Sequence, residues 1–297
     1  MINISIGVLT GGSSSERLIS LESGQNIFNS FIKQGFDCEL IDYLDLDDLS
    51  KLKRYDKIFI AMHGFEGESG GLQRELSKLG INYTGSNQEG CEKTWNKNTF
   101  KNLLREKGLA TPVSIIANDI LNFDYPKSFF KDNYFFLKPV ADGSSIDTFE
   151  ISSEQDFETA KTLIKNVSQE FLLEEGIKFK EFTVGILDNQ ILPVLEIKSP
   201  NAFYDYDAKY LSNKTIIKKA DLNSSENEAI ENLAINAFNI CGCSGWGRVD
   251  ILQAKDSSFY AIEINTVPGM TSHSLFPKAA SYAGLGFDEL VKKIISI

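Results

Sequence analysis

The chain has 297 residues, 42% of them apolar, which is enough for a sizeable core and longer than one compact core usually holds, so two or three domains are expected. Thirty Lys and Arg against 41 Asp and Glu give a net charge of −11 with no cationic block, which argues against nucleic acid and anionic membrane as partners. Cys38, Cys91, Cys241 and Cys243 lack zinc spacing and only His63 and His273 could complete a site, so they read as reduced thiols of a cytoplasmic protein.

The apolar residues 2–9 read as a first strand rather than a leader, and no segment is long enough to span a bilayer. Strand-like runs at 2–9, 38–43 and 57–62 alternate with helix-like runs at 19–33 and 72–79, the pattern of a parallel sheet with crossover helices. Glycines follow the strands, at Gly11-Gly12 and between His63 and Gly71, at the edge where open α/β sheets bind ligands. The first turn is not G-x-G-x-x-G, which disfavours a dinucleotide site. Glu16 just beyond it could receive a substrate ammonium or stabilise a helix amino terminus.

A second unit begins near residue 91 with a helix over 96–107, on which Lys97 reads as an ordinary surface charge. Lys138 stands in the apolar run 134–139 and needs either an anionic partner or a path to solvent along its stem. The turn Asp142-Gly143-Ser144-Ser145 could wrap a polyphosphate or be only a turn, and a helix capped by Ser152 or Ser153 follows over 153–165. Glu174 and Glu181 could bind a nucleoside, but alone they read as surface acids. Beyond residue 176, strands are expected at 182–187 and 191–197 and a helix at 224–240. The loop Phe203 to Tyr210, with three tyrosines and Lys209, reads as a lid or a packed surface loop.

The richest segment is a predicted hairpin, Gly245 to Ile251 and Ile262 to Gly269. Strand period puts Arg248 with Asp250 and Glu263 with Asn265 on one face, and Val249, Ile251, Ile262 and Ile264 on the core face. If the chain reverses near Asp256 and Ser257, Asp250 lies opposite Glu263 and Arg248 opposite Asn265. Two carboxylates and an amide oxygen suit a hard cation such as magnesium, although a solvated polar face has the same pattern.

Taken together, these segments resemble the D-alanine:D-alanine ligases of the ATP-grasp family over nearly the whole chain. The resemblance is carried by Gly11 to Arg17 with Ser20-Leu21, His63-Gly64, Tyr83 to Ser86, Lys138-Pro139 with Gly143-Ser144-Ser145, and Glu181 to Val184. It continues through Phe203 to Tyr210, Gly245 to Asp250 and Glu263 to Leu275. It implies a three-domain α/β architecture: a parallel-sheet substrate domain over 1–90, and two α+β domains over 91–175 and 176–297 that clasp ATP. It further implies that Lys97, Lys138 and Ser145 hold phosphates, that Glu174, Glu175, Ile177 and Glu181 hold the nucleoside, and that Asp250, Glu263 and Asn265 bind two magnesium or manganese ions. Lys209 would reach the terminal phosphate. Glu16, Ser144 and Tyr210 would hold the first D-alanine, and His63, Gly269, Ser274 and Leu275 would form the substrate site, with Arg248 on the oxyanion.

The expected reaction joins two D-alanines through a D-alanyl phosphate, for cell-wall precursor synthesis, in a cytoplasmic homodimer. A relative using D-lactate or D-serine is the first alternative, against which Tyr210 argues, and a non-catalytic ATP-binding module is the second. The chain departs from the family pattern at Asp142, usually Glu, at Ser69, usually Asp, and at Gly176, often a bulky residue.

Overall fold

The computed structural model describes residues 4–143, 146–198 and 215–297. Strands β1 (Ser5–Thr10), β2 (Asp37–Asp42) and β3 (Lys57–Ile60) form a parallel sheet in the order β2-β1-β3. Parallel neighbours need a crossover, which α1 (Arg17–Lys33) supplies between β1 and β2. Ile6, Val8 and Leu9 of the central strand are all buried, the near-continuous apolar pattern of a covered parallel sheet. Gly11 and Gly12 both take φ +86 at the end of β1, a left-handed turn that glycine adopts without strain, and this sets Glu16 at the mouth of α1.

Four helices follow: α2 (Phe65–Glu68), α3 (Gly71–Lys78), α4 (Gln88–Trp95) and α5 (Lys97–Glu106). Asn87 and Asn96 cap the last two by accepting from the amides of Gly90 and Thr99. Strands β4 (Ser114–Ala117), β5 (Phe135–Pro139), β6 (Phe149–Ile151) and β7 (Phe171–Glu175) then build an antiparallel sheet in the order β4-β7-β5-β6. Phe135 and Leu137 of β5 pack with Phe157 of α6 (Glu154–Leu163), while Phe136 and Lys138 occupy the other face. Ser153 is the α6 cap, accepting from the amide of Asp156.

The third sheet runs β11-β10-β8-β12-β13, with the short β9 (Gln190–Ile191) beside β8 (Lys180–Leu187). Its other members are β10 (Leu195–Lys198), β11 (Ile216–Lys219), β12 (Trp246–Gln253) and β13 (Phe259–Asn265). The single strand expected over 191–197 is two short ones, because Pro193 has no amide hydrogen to give a ladder. Helix α7 (Ser224–Ile240) packs on this sheet, its start fixed by a reciprocal capping box between Asn223 and Glu226. Helices α8 (Leu275–Tyr282) and α9 (Phe287–Ser296) pack back on the first sheet.

Each sheet draws its strands from one stretch of sequence, within 1–90, 91–175 and 176–297 respectively. The cores interleave, however: Phe100 and Leu104 of α5 join the core of the third sheet, and Trp246, Phe276 and Leu290 join that of the first. No helix among the described residues is long and apolar enough to cross a membrane.

Candidate active site

The β12–β13 hairpin has the register read from the sequence, with Arg248 opposite Asn265 and Asp250 opposite Glu263. The chain reverses at Asp256 and Ser257, where Ser257 takes φ +69 and Asp256 accepts from the amide of Ser258. A bulge follows Asp250: Ile251 pairs with Ala261, leaving Ile262 as the extra residue. The expected core position of Ile262 is therefore wrong; it is half-buried, and Ala261 takes the interior place beside Val249, Ile251 and Ile264.

Asp250 is 4% exposed and held from three directions. Arg248 donates from Nε at 2.9 Å and from Nη2 at 2.8 Å, Thr183 of β8 from its hydroxyl at 2.6 Å, and Asn265 from Nδ2 at 3.1 Å. The Asn265 side-chain oxygen takes no part in that bond. The face offers carboxylate and carbonyl oxygens with no nitrogen or sulfur donor, a set that fits a hard divalent cation such as magnesium.

Past β13 the chain forms a loop over 266–274 that is braced from the first sheet. His63 Nδ1 lies 2.7 Å from the Val267 carbonyl, so it carries the proton, and Nε2 accepts from the Ser23 hydroxyl at 3.0 Å. Ser23 in turn accepts from the Met270 amide at 3.0 Å. Burial, against the pull of Glu16, keeps His63 below its ordinary pKa and hence neutral. Both ring nitrogens are thus committed, one to the loop and the other to Ser23 of α1, so His63 acts by shaping the substrate site. Glu68 assists, accepting from the Gly64 amide at 2.9 Å and the Val267 amide at 3.3 Å, and burial and the nearby Glu16 push its carboxyl up to about 8.

The loop delivers Gly269, Ser274 and Leu275 to the cleft, where a β-carbon on Gly269 would stand 2.6 Å from the Ser274 hydroxyl oxygen. Ser274 Oγ accepts from the Thr271 amide at 2.9 Å rather than capping α8, so the first amides of α8 have no side-chain cap. Across the cleft, Lys97 donates to the Asp142 carbonyl oxygen at 2.5 Å, and burial lowers its pKa to about 8 against the attraction of Glu263. Because the backbone makes that contact, the shorter acid at 142 leaves it intact. The following turn reaches Glu16: a β-carbon on Gly143 would lie 2.8 Å from its Oε2.

The structure thus gathers Glu16, His63, Lys97, Arg248, Glu263, Asn265, Gly269, Ser274 and Leu275 around one cleft, with Asp250 held behind Arg248. Lys138, expected on a phosphate, and the proposed nucleoside residues are not on its wall. Lys138 and Glu174 form a diagonal pair across β5 and β7 at 2.5 Å, Glu175 ends β7, Ile177 follows it, and Glu181 lies on β8. Ser144, Ser145, Lys209 and Tyr210 lie outside the described residues. Gly176 has a local cause, since a β-carbon there would overlap the Tyr134 ring, over which Lys178 places its ammonium 3.4 Å from the centroid. Sequence reasoning missed Ser23, Glu68, Lys101 and Thr183. Of these, Lys101 had a signal: it sits beside Phe100 and three residues before Leu104 on the apolar stripe of α5.

A parallel sheet that meets two antiparallel sheets, one carrying Lys138 and the other the paired Asp250 and Glu263, is the arrangement of the ATP-grasp class. Residues 100–296 match the family model described as D-ala D-ala ligase C-terminus. The D-alanine–D-alanine ligase of Pseudoalteromonas translucida is 38% identical over 98% of this chain and 95% of its own length. That of Vesicomyosocius okutanii is 38% identical over 98% of this chain and 99% of its own. The crystal structure of the Bacillus anthracis D-alanine–D-alanine ligase complexed with ATP superposes with a TM-score of 0.85 at 28% identity, covering 99% of this chain and 96% of that one. The chain belongs to the D-alanine–D-alanine ligase family.

Proposed function

We propose that this protein joins two D-alanine molecules to D-alanyl-D-alanine at the expense of ATP. The observation that carries the reading is that one cleft collects Glu16, Lys97, the Arg248–Asp250 pair, Glu263 and the amino end of α8. An acid for an ammonium, a lysine and metal-type acids for a triphosphate, and a helix amino end for a carboxylate are the parts this reaction needs.

The first D-alanine's carboxylate attacks the terminal phosphate of ATP and ADP leaves; the second D-alanine's amine then attacks the acyl phosphate and inorganic phosphate leaves. Neither step needs a protein nucleophile, so the residues act by positioning and by neutralising charge. Glu16 holds the first ammonium, with Ser144 and Tyr210 assigned beside it. Lys97, Lys138 and Ser145 hold phosphates, Lys209 reaches the terminal one, and Glu174, Glu175, Ile177 and Glu181 take the nucleoside. Gly269 and Arg248 donate to the oxyanion, while Ser274 and Leu275 receive the second carboxylate. Asp250, Glu263 and Asn265 would hold two magnesium or manganese ions, which neutralise phosphate charge when bound. The three sequence ranges 1–90, 91–175 and 176–297 are taken as the domains that enclose this site, in a cytoplasmic homodimer.

The test is ADP release measured side by side with D-alanine, with L-alanine and with D-alanine plus D-lactate across pH. The dipeptide reading expects turnover with D-alanine alone and none with L-alanine. Product confined to the D-lactate ester would make the chain a depsipeptide ligase, and ATP binding without D-alanine-dependent ADP release would make it a binding module.

A further inference from the structure

Lys101 has no exposed side-chain surface, although it stands on α5 between residues that fill the core of the third sheet. A buried ammonium persists only where its charge is met. Its donors go to the Thr111 hydroxyl at 2.8 Å, to the Pro112 carbonyl at 3.4 Å and, as an ion pair, to Glu174 Oε2. The other oxygen of Glu174 receives Lys138 at 2.5 Å. One carboxylate therefore faces two ammonium groups, and a whole positive charge is left over. The two lysines are not equivalent: Lys101 is sealed from solvent, whereas Lys138 is 14% exposed.

We propose that Lys101 is a positioning residue that satisfies Glu174 from behind, so that the charge of Lys138 stays available to the phosphates of a nucleotide. The inference rests on Lys138 being a phosphate ligand. Without Lys101, Glu174 would have Lys138 as its single ammonium partner, and the pair would present no net charge. Burial alone would raise the Glu174 carboxyl, but Lys101 and Lys138 together hold it below the usual range, which agrees with a permanently ionised centre. Thr111 and Pro112 fix where Lys101 can point, so Glu174 is held in one place by groups that a nucleotide never touches.

The test is calorimetric titration of the full chain with ATP and with adenosine. Lys101→Met is expected to weaken ATP by about tenfold or more, the size of one charge-assisted contact, and adenosine, whose site includes Glu174, by much less, while the D-alanine KM stays within about twofold. In a Glu174→Gln background, adding Lys101→Met is expected to have no further effect on ATP, because there is no longer an acid to satisfy. Equal weakening of ATP and adenosine, no weakening, or a loss that persists in the Glu174→Gln background overturns the proposal. Should Lys101→Met not fold, Lys101→Arg carries the test: it keeps the charge and must keep the ATP-to-adenosine affinity ratio, and a tenfold fall in that ratio refutes the idea. Lys138→Met separates the two readings, since unchanged ATP affinity there removes the phosphate role of Lys138 itself, whereas a loss there with none in Lys101→Met removes this inference alone.

Discussion

Arg248→Ala separates the architectural work of this arginine from its chemical work. Arg248 Nε and Nη2 supply two of the side-chain donors on Asp250, and the Thr183 hydroxyl and Asn265 amide supply two more. Deleting one partner of a buried ion pair destabilises by about 3–5 kcal/mol when the other is left bare. With half of the donors retained, the lower end of that range applies, about 3 kcal/mol, which leaves a domain of ordinary stability folded. The rate should fall further than stability implies, because losing one preorganised oxyanion donor lowers turnover about a hundredfold to a thousandfold. Arg248→Lys should recover stability more than rate, since an ammonium restores charge without the planar fork. Thermal melts establish folding, and coupled ADP release with saturating D-alanine reads the rate. A folded Arg248→Ala variant that turns over normally would refute the placement of Arg248 at the reaction centre.

Glu68 sets a pH dependence: its carboxyl is held near 8 in the folded chain against about 4.5 unfolded, so the folded state keeps a proton that the unfolded state has lost between those limits. Its contribution is complete below about 4.5 and lost as pH rises through about 8, by at most roughly 1.4 kcal/mol per pH unit. Glu68→Gln should flatten stability over that window in urea melts, and an unchanged slope would contradict the assignment. Ser23→Ala leaves His63 Nε2 and the Met270 amide without their shared hydroxyl. The D-alanine KM should therefore rise while ATP affinity holds, and an effect confined to ATP would count against the brace. Gly176→Leu forces the Tyr134 ring from its place, with an overpacking penalty of about 1–3 kcal/mol. Urea melts should show that loss, and a wild-type midpoint would mean that the Tyr134 ring gives way without cost.

The hairpin was legible because strand period and a short reversal leave few alternatives: the pairing of Asp250 with Glu263 follows from counting residues between two apolar runs. Counting fails at the bulge, since nothing in Ala261-Ile262 announces which residue is extra, and here the smaller apolar side chain is the core one. The helix expected at about 224–240 agrees with α7, whose start is fixed by a local device, the cap of Asn223 with Glu226. Lys101, Ser23 and Glu68 act through partners 73, 247 and 199 positions away, at Glu174, Met270 and Val267. Such contacts are set by how the sheets pack: the apolar stripe of α5 signals that Lys101 is buried, but no local pattern names its partner. Lys97 and Glu174 likewise looked like surface charges until the fold enclosed them, and only the family resemblance singled them out.

The most direct test of the account is the stoichiometry of the complete reaction, with ADP and D-alanyl-D-alanine quantified together by chromatography and mass spectrometry from ATP, magnesium and D-alanine. One dipeptide per ADP is the expected result, because an acyl phosphate enclosed by this cleft meets an amine before it meets water. ADP released without dipeptide, or no D-alanine-dependent ADP at all, would contradict the assignment of the cleft as a site of D-alanine ligation.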